Sequence, residues 1–470
     1  MDDMVSSGTA LSTAAVDAAR RAAEEASAVE SAAARAATAS RRRFDVASGP
    51  LEDRATWQRL RDLFVLDPAM THLNAGTIGS APRPVLELLG QRDVDFARYP
   101  DDPYPATRLS EARGVLAHCY GCDPDEVAIV QGATDANARI VNGLDLGEGD
   151  EVVTTTHECY TMQAPLNVLH NRRGVVVRKL TPRLGPDQSA EEIVDLFESA
   201  ITSRTKVLEW AAVTFTTGTT FPTRMLAELA HRYGLVSMVD GAHLPGQFTM
   251  NLHELGIDFL SGSGSKYQCG PMGTGILYAR NKVLPEYNPL PLPTFWPVIS
   301  LWYPIEGGLP PRTTDREPSY DMAMLVQKTG TTDLSRGPAL QAACEIWQQV
   351  GREHIQRYVF GLCTRLKERI VDHWGRDSLY SPYDDARLHS GMVAFQPFRD
   401  PARALDLTTF AEFERRMADE HGVNLRFTFF PVRGSTTERY AVRLAPHVYN
   451  NVEEIDRAVD AMIKLTDAMS

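Results

Sequence analysis

Asp240-Gly241-Ala242-His243 and Gly262-Ser263-Gly264-Ser265-Lys266 are the two stretches of sequence that decide the fold. Asp240 and Lys266 lie 26 positions apart, and each follows a short apolar run. Pyridoxal phosphate (PLP) needs these two residue types, because a carboxylate keeps its pyridine nitrogen protonated and a lysine binds its aldehyde covalently. The pair at this spacing therefore predicts a PLP site.

Length and charge limit the classes of protein to consider. The chain has 470 residues and a formal net charge of -13. This length exceeds one compact core, so we expect two domains and an appendage. The acidic balance argues against a nucleic-acid partner, which selects basic surfaces. No run of eighteen apolar residues occurs, so we expect no membrane-spanning helix.

The cysteine count indicates a reducing compartment. Six cysteines in the whole chain suit the cytoplasm, which is the predicted location. Cys119 and Cys122 have a spacing that is typical of redox or metal sites. No second pair of ligands stands nearby, so we interpret both as structural thiols and predict no metal site.

Short apolar runs alternate with helical stretches through the first two thirds of the chain. This alternation predicts an α/β fold with a mostly parallel central sheet that is covered on both faces. We predict an alanine-rich arm at 1–45, helical or disordered, a large domain at 46–338 and a small α+β domain at 339–470. Residues 283–317 lack any period and are rich in Pro, Trp and Tyr. They are interpreted as a wall of the site or a subunit contact. The strand candidates are 127–130, 151–154, 175–177, 206–213, 235–239, 259–260 and 275–278.

A glycine turn between a strand and a helix supplies a candidate phosphate cradle. Gly132, Ala133 and Thr134 follow the strand candidate 127–130 and open a helix. Backbone N–H groups and the helix dipole favour an anion at such a terminus, and Thr134 adds a hydroxyl donor. An ordinary helix N-cap is the alternative reading of this turn.

The residues around the pair extend the predicted site. Asp240 ends an apolar strand, and side chains at the carboxyl ends of parallel strands face the ligand crevice. His243 is expected within reach of the phenolic oxygen of PLP. Ser263 and Ser265 offer hydroxyls to the phosphate, and a buried Lys266 is expected to act first as nucleophile and then as base.

Several further motifs complete a resemblance to class V aminotransferase-like, fold-type I PLP enzymes. This group includes cysteine desulfurases and isopenicillin N epimerase-like proteins, and the epimerase-like branch is the more similar. The resemblance runs from about Leu73 to Leu465. Besides the two stretches above, it rests on Leu73-Asn74-Ala75-Gly76-Thr77, Gly132-Ala133-Thr134-Asp135-Ala136-Asn137, Thr156-His157-Glu158, Gly330-Thr331 and Arg443-Leu444-Ala445-Pro446-His447-Val448-Tyr449-Asn450.

The resemblance implies further roles. His157 stands where the family stacks a ring on the cofactor, although its residue type alone is equally typical of a loop histidine. Thr331 matches a residue that reaches the phosphate of the neighbouring subunit, which implies a homodimer with shared active sites. Arg443 matches the arginine that binds the substrate carboxylate, where a guanidinium offers a bidentate fork. Asn74 is the accompanying substrate-binding candidate.

The sequence also departs from the family pattern. Ser265 stands where most relatives carry histidine, and Phe215 stands where desulfurases carry asparagine, so that Thr214 or Thr216 is the candidate replacement. No cysteine follows Cys363, whereas desulfurases need a nucleophilic thiolate on a late loop. Cysteine desulfurase activity is therefore disfavoured.

The predicted function is PLP-dependent chemistry at the α-carbon of an amino acid or amino-acid-like substrate. The preferred prediction is an isopenicillin N epimerase-like reaction in specialised metabolism. β-Elimination or C–S lyase chemistry, transamination and oxidative deamination stay open as outcomes. A non-catalytic scaffold is the second class, and the intact Asp240 and Lys266 argue against it. A nucleotide-binding Rossmann protein is excluded because no Gly-x-Gly-x-x-Gly follows the first strand.

Overall fold

A computed structural model describes residues 49–100, 105–280, 295, 322–327, 329–330, 333–435 and 437–469. The predicted arm at 1–45 and Thr331 lie outside the described residues. So does the segment 283–317, apart from Phe295.

A seven-stranded sheet forms the centre of the molecule, with the strand order β2-β8-β7-β6-β5-β3-β4. Strands β3 to β7 pair in parallel, and β8 runs antiparallel to both of its neighbours. The mostly parallel sheet that the apolar runs predict is therefore present. Its strands are β2 (Val127–Val130), β3 (Glu151–Thr155), β4 (Val176–Leu180), β5 (Thr205–Ala211), β6 (Val236–Asp240), β7 (Phe259–Ser263) and β8 (Gly275–Ala279).

Helices cover both faces of this sheet, because alternate residues of each strand point to opposite sides. Val207 and Met238 pack with α4 (Ala133–Gly143) and α5 (Tyr160–Arg173) on one face. Leu208 and Val239 face the other side. That side is covered by α6 (Ala190–Glu198), α7 (Thr223–Arg232) and α10 (Arg336–Val350).

A separate three-stranded antiparallel sheet follows in the last third of the chain, with the order β11-β12-β9. Its strands are β9 (Val393–Phe395), β11 (Arg426–Phe430) and β12 (Arg439–Leu444). A second apolar cluster joins it to α11 (Arg352–Trp374), α13 (Leu407–His421) and α14 (Val452–Met469). Near the start of the chain, β1 (Thr71–His72) pairs in parallel with β10 (Val423–Asn424). The domain limits at 46–338 and 339–470 stay predictions.

The remaining helices are short or peripheral. They are α1 (Arg54–Arg61), α2 (Arg83–Arg98), α3 (Pro105–Tyr120), α8 (Leu252–Leu255), α9 (Met322–Gln327) and α12 (Pro401–Ala404). Gly351, where φ is +95°, separates α10 from α11. In the part of the chain that the structure describes, none of the helices has the length and apolarity needed to span a membrane.

Candidate active site

Lys266 lies in a half-buried position three residues beyond the end of β7, where its amine contacts His243. Lys266 Nζ is 3.0 Å from His243 Nε2, and the same ring nitrogen is 2.9 Å from the carbonyl oxygen of Gly76. Burial lowers the pKa of Lys266, and burial together with the charge of Lys266 holds the pKa of His243 well below its usual value. A lysine whose neutral form is favoured in this way suits nucleophilic attack on an aldehyde.

The loop 74–79 packs against the backbone of Ser265 and Lys266. Gly79 N–H donates to the carbonyl oxygen of Ser265 at 2.8 Å. A Cβ atom on Gly79 would overlap the carbonyl oxygen of Lys266 and would lie 3.0 Å from its carbonyl carbon. Only glycine therefore permits this approach of the loop to Lys266.

Asp240 ends β6 in register with Ala211 of β5 and Ser261 of β7. Its side chain is buried, with two hydrogen-bond donors that orient the two oxygens. Asn137 Nδ2 donates to Oδ2 at 2.9 Å, and the N–H of Ala242 donates to Oδ1 at 3.0 Å. The α4 helix therefore positions the carboxylate through Asn137, a contact that sequence analysis did not identify.

The predicted phosphate residues lie at one edge of the central sheet. Ser263 of β7 and Val130 of β2 both pair with Gly275 of β8, which brings Ser263 towards the turn that starts α4. Gly132 caps this helix with a φ of +133° and no side-chain hydrogen bond, and Ala133 and Thr134 begin its first turn. The first N–H groups of a helix have no intrahelical acceptor and attract an anion.

Ser265 completes this edge from the β7 side. The hydroxyl oxygens of Ser263 and Ser265 are 3.4 Å apart. A Cβ atom on Gly275 would lie 2.5 Å from Gly132 Cα, so the two backbones approach closely. Two hydroxyl groups and the start of α4 are thus grouped where the sequence predicts a phosphate site.

Arg443, on β12, is a buried cation with neutral partners. Its Nη1 donates to the carbonyl oxygen of Phe215 at 2.8 Å, and its Nη2 donates to Asn74 Oδ1 at 3.0 Å and to Thr77 Oγ1 at 2.6 Å. Nε has no hydrogen-bond partner among the described residues, and burial lowers the pKa of Arg443 to about 10. A buried cation whose local partners are all neutral favours an anionic ligand such as a carboxylate.

His157 is fully buried just beyond β3. Its Nε2 is 3.1 Å from the carbonyl oxygen of Pro431, and its ring centroid is 5.7 Å from that of Phe430. Its Nδ1 has no hydrogen-bond partner within the described ranges. Burial lowers the pKa of His157 to about 4, so that the ring is neutral at pH 7. A neutral flat ring suits stacking on a cofactor.

Two buried carboxyl groups near Asp240 were not assigned a role from the sequence. Glu158 and Glu209 are both 0% exposed. Glu158 Oε1 accepts hydrogen bonds from Thr155 Oγ1 at 2.8 Å and from the N–H of Ala211 at 3.0 Å. The available signal was Glu209 itself, because a carboxylate inside the apolar strand β5 is costly unless it has a role.

Thr214 and Thr216, the candidate replacements for the asparagine of desulfurases, differ in their hydrogen bonding. Thr214 is engaged, because its hydroxyl contacts Thr217 Oγ1 at 2.9 Å and accepts from the N–H of Thr219. The hydroxyl of Thr216 is buried without a hydrogen-bond partner in the described part of the chain. Cys159 is the residue that precedes α5.

Comparison with known proteins identifies the family of the chain. A family profile described as "Aminotransferase class-V" matches residues 105–457. Isopenicillin N epimerase of Streptomyces clavuligerus is 29% identical over 417 residues, which cover 88% of this chain and 99% of the relative. A cysteine desulfurase of Haloferax volcanii is 26% identical over 349 residues, which cover 72% of this chain and 74% of the relative.

Solved structures show the same fold. The apo cysteine desulfurase of Thermococcus onnurineus NA1 superposes with a TM-score of 0.69 at 18% identity, covering 87% of this chain and 98% of that chain. A C-DES mutant with glycine linked covalently to the PLP cofactor gives a TM-score of 0.67 at 19% identity, covering 86% of this chain and 98% of that chain. The predicted α/β, fold-type I class and the family resemblance are confirmed.

Proposed function

Because the chain belongs to the aminotransferase class V family of PLP-dependent enzymes, we propose that it acts at the α-carbon of an amino acid or amino-acid-like substrate. Isopenicillin N epimerase-like chemistry is the preferred reaction, since the relative from Streptomyces clavuligerus matches nearly the full length of both chains. The predicted enzyme class and the PLP cofactor are confirmed at the level of the family.

The arrangement of Arg443 and Lys266 around the loop 74–79 is the observation that carries this proposal. Arg443 donates to Asn74 and Thr77 at one end of the loop. At the other end, Gly79 binds the residue before Lys266. One short loop thus links a cation suited to a substrate carboxylate with an amine suited to the cofactor aldehyde.

The buried polar groups fit PLP. Among the side chains that the structure describes, Lys266 has a hydrogen-bond contact only with His243, and Asp240 offers a fixed carboxylate at the end of β6. Gly132 opens the start of α4 to an anion, and the Nδ1 of His157 lacks a partner among the described residues. We propose that these residues hold the cofactor, together with Ala133, Thr134, His243, Ser263, Ser265 and the undescribed Thr331.

When bound, PLP supplies an electron sink for charge that develops at the substrate's α-carbon. Asp240 would bind the ring nitrogen, and His157 would pack against the ring. Lys266 would hold the aldehyde of the cofactor, and its Nζ, when free, would remove or return a proton at the α-carbon. Arg443 orients the substrate carboxylate and thereby selects the bond that reacts.

The fate of the substrate after proton removal separates the alternatives. Return of a proton on the opposite face gives epimerisation. Loss of a β-substituent gives a lyase, transfer of the amino group gives transamination, and oxygen capture gives oxidative deamination. Desulfurase activity stays disfavoured despite the desulfurase relatives, because no cysteine follows Cys363.

The proposal extends to assembly and setting. We propose a homodimer with shared active sites, which light scattering of the purified protein would test against a monomer. The six cysteines are all free, which supports a reducing cytoplasm. Specialised metabolism is proposed from Ser265 and Phe215, which replace residues typical of the family. High activity on many common amino acids would contradict it.

A visible absorbance spectrum tests the proposal. The purified protein and a Lys266→Ala variant are mixed with PLP and then with a panel of amino acids under air. We expect a visible band that is absent in the variant and that changes with one class of substrate, whose product then identifies the reaction. Absence of the band in both proteins after PLP addition would refute the proposal.

A further inference from the structure

Three carboxyl groups gather on one face of the central sheet. Glu209 on β5 and Asp240 on β6 each follow, two residues later, a side chain that packs against α4 and α5. Because side chains alternate along a strand, both carboxyl groups point to that covered face. Glu158, just beyond the neighbouring strand β3, reaches β5 through its bond to the N–H of Ala211.

Glu158 and Glu209 each leave one oxygen without a donor. Glu158 Oε1 is occupied by Thr155 and Ala211, and the hydroxyl of Thr154 donates to Glu209 Oε2. Their other oxygens, Glu158 Oε2 and Glu209 Oε1, are buried without any donor in the described part of the chain.

A side-chain hydrogen bond between the two carboxyl groups contributes to the pKa of each. An ionised carboxylate only accepts hydrogen bonds, so a bond between two carboxyl groups requires a proton on one of them. A shared proton would supply a donor that neither carboxyl group has when both are ionised.

The charges around this pair oppose full ionisation. Asp240, on β6, is the carboxylate that acts on both glutamates. α4 contributes the neutral Asn137 beside Asp240, and the adjacent His157 is held neutral by burial. No Lys, Arg or His among the described residues forms an ion pair with Glu158 or Glu209. Lys266, beyond the end of β7, interacts electrostatically with Asp240. Three buried negative charges on one face would repel one another strongly.

We propose that Glu158 and Glu209 share one proton at neutral pH, so that this pair carries one negative charge, rather than two, beside Asp240. This inference rests on the proposed function in so far as Asp240 binds the ring of PLP. The two glutamates are positioning residues, because they act on the cofactor through the charge next to Asp240. Glu158-Glu209 is called the acid pair below.

Burial and the nearby charges support the proposal. Burial and the charge of Asp240 raise the pKa of Glu158 to about 8, and burial with the charge of Glu158 holds the pKa of Glu209 well above its usual value. As pH rises past about 8, a second negative charge therefore appears beside Asp240. That charge would strengthen protonation of the ring nitrogen and alter the cofactor's visible spectrum.

Infrared spectroscopy of the PLP-loaded protein tests the shared proton directly. A carboxylic acid absorbs apart from a carboxylate. We expect an acid band at pH 7 that loses intensity as pH rises through about 8. Glu158→Gln and Glu209→Gln keep the side-chain size and should each abolish this step. Glu228→Gln, an exposed residue paired with Arg224, should leave it unchanged. A wild-type protein without the acid band at pH 7 would overturn the proposal, even if neither variant folds.

The visible spectrum shows whether the acid pair acts on the cofactor or serves only in packing. We expect the PLP band of the wild type to change at the same pH as the acid band, and this coincidence to vanish in both variants. An infrared step without any matching visible change would overturn the positioning role. Failure of the protein to take up PLP would instead refute the proposed function, while the infrared result would still decide whether the proton is shared.

Discussion

Replacing Gly79 with alanine is expected to disturb both the fold and the position of Lys266. The added methyl group would overlap the carbonyl oxygen of Lys266 and would lie 3.0 Å from its carbonyl carbon and 3.3 Å from Cys269 Sγ. These neighbours are backbone or buried, so they cannot rotate away. The loop 74–79 must therefore move from Lys266, and the 2.8 Å hydrogen bond from Gly79 N–H to Ser265 must lengthen or break.

The magnitude of the Gly79→Ala effect follows from these two losses. Overfilling a packed site costs about 1–3 kcal/mol, and the lost hydrogen bond costs about 1 kcal/mol. We therefore expect the free energy of unfolding to fall by about 2–4 kcal/mol. A displacement of Lys266 on the order of 1 Å should also lower reactivity towards PLP by about 100-fold.

Denaturant unfolding and PLP titration measure the two effects, with Gly90→Ala as the matched control. Gly90 is an exposed residue of α2 with nothing within 4 Å of an added Cβ atom. Alanine there should raise the free energy of unfolding by up to about 1 kcal/mol, because it favours helix. If Gly79→Ala were as stable as the wild type and bound PLP at the same rate, the loop would not hold Lys266 as described.

Three further variants test individual side chains. Arg443→Gln should raise the substrate KM by about 10–100-fold, since a charged hydrogen bond contributes about 1.5–3 kcal/mol; an unchanged KM in steady-state kinetics would contradict its role. Asp240→Asn should keep the visible PLP band but lower kcat by at least about 100-fold, because the ring nitrogen loses its anionic partner. The pKa of Glu158 is raised from 4.5 to about 8 in the folded chain, so its stabilising contribution is present below about pH 4.5 and is lost as pH rises through 8. Urea unfolding at pH 5 and pH 9 should therefore show a larger loss of stability for the wild type than for Glu158→Gln.

Local sequence patterns predicted the central sheet because its strands are short apolar runs separated by helices. The candidates 127–130 and 275–278 coincide closely with β2 and β8. The direction of β8 was beyond this reasoning, since apolar periodicity carries no information about parallel or antiparallel pairing. The break between α10 and α11 at Gly351 is likewise not specified by helical periodicity. A single glycine inside a helical pattern is tolerated or terminates a helix according to its tertiary setting.

The site was predictable where residues adjacent in sequence act together. Asp240, His243 and Lys266 belong to two compact motifs, and the structure places His243 against the Lys266 amine. The acid pair was not predictable, because Glu158 and Glu209 meet only through the order and register of β3, β5 and β6. Sequence spacing does not specify which strands are neighbours in a parallel sheet.

The identity of the lysine that binds PLP tests the central claim most directly. Borohydride reduction of the PLP-loaded protein, followed by peptide mass mapping, fixes and locates the attachment. Lys367 is a built-in comparison, because it is a buried lysine whose pKa is lowered by burial to about 8. The account predicts modification of Lys266 alone. Attachment at Lys367, or no attachment to any lysine, would contradict it.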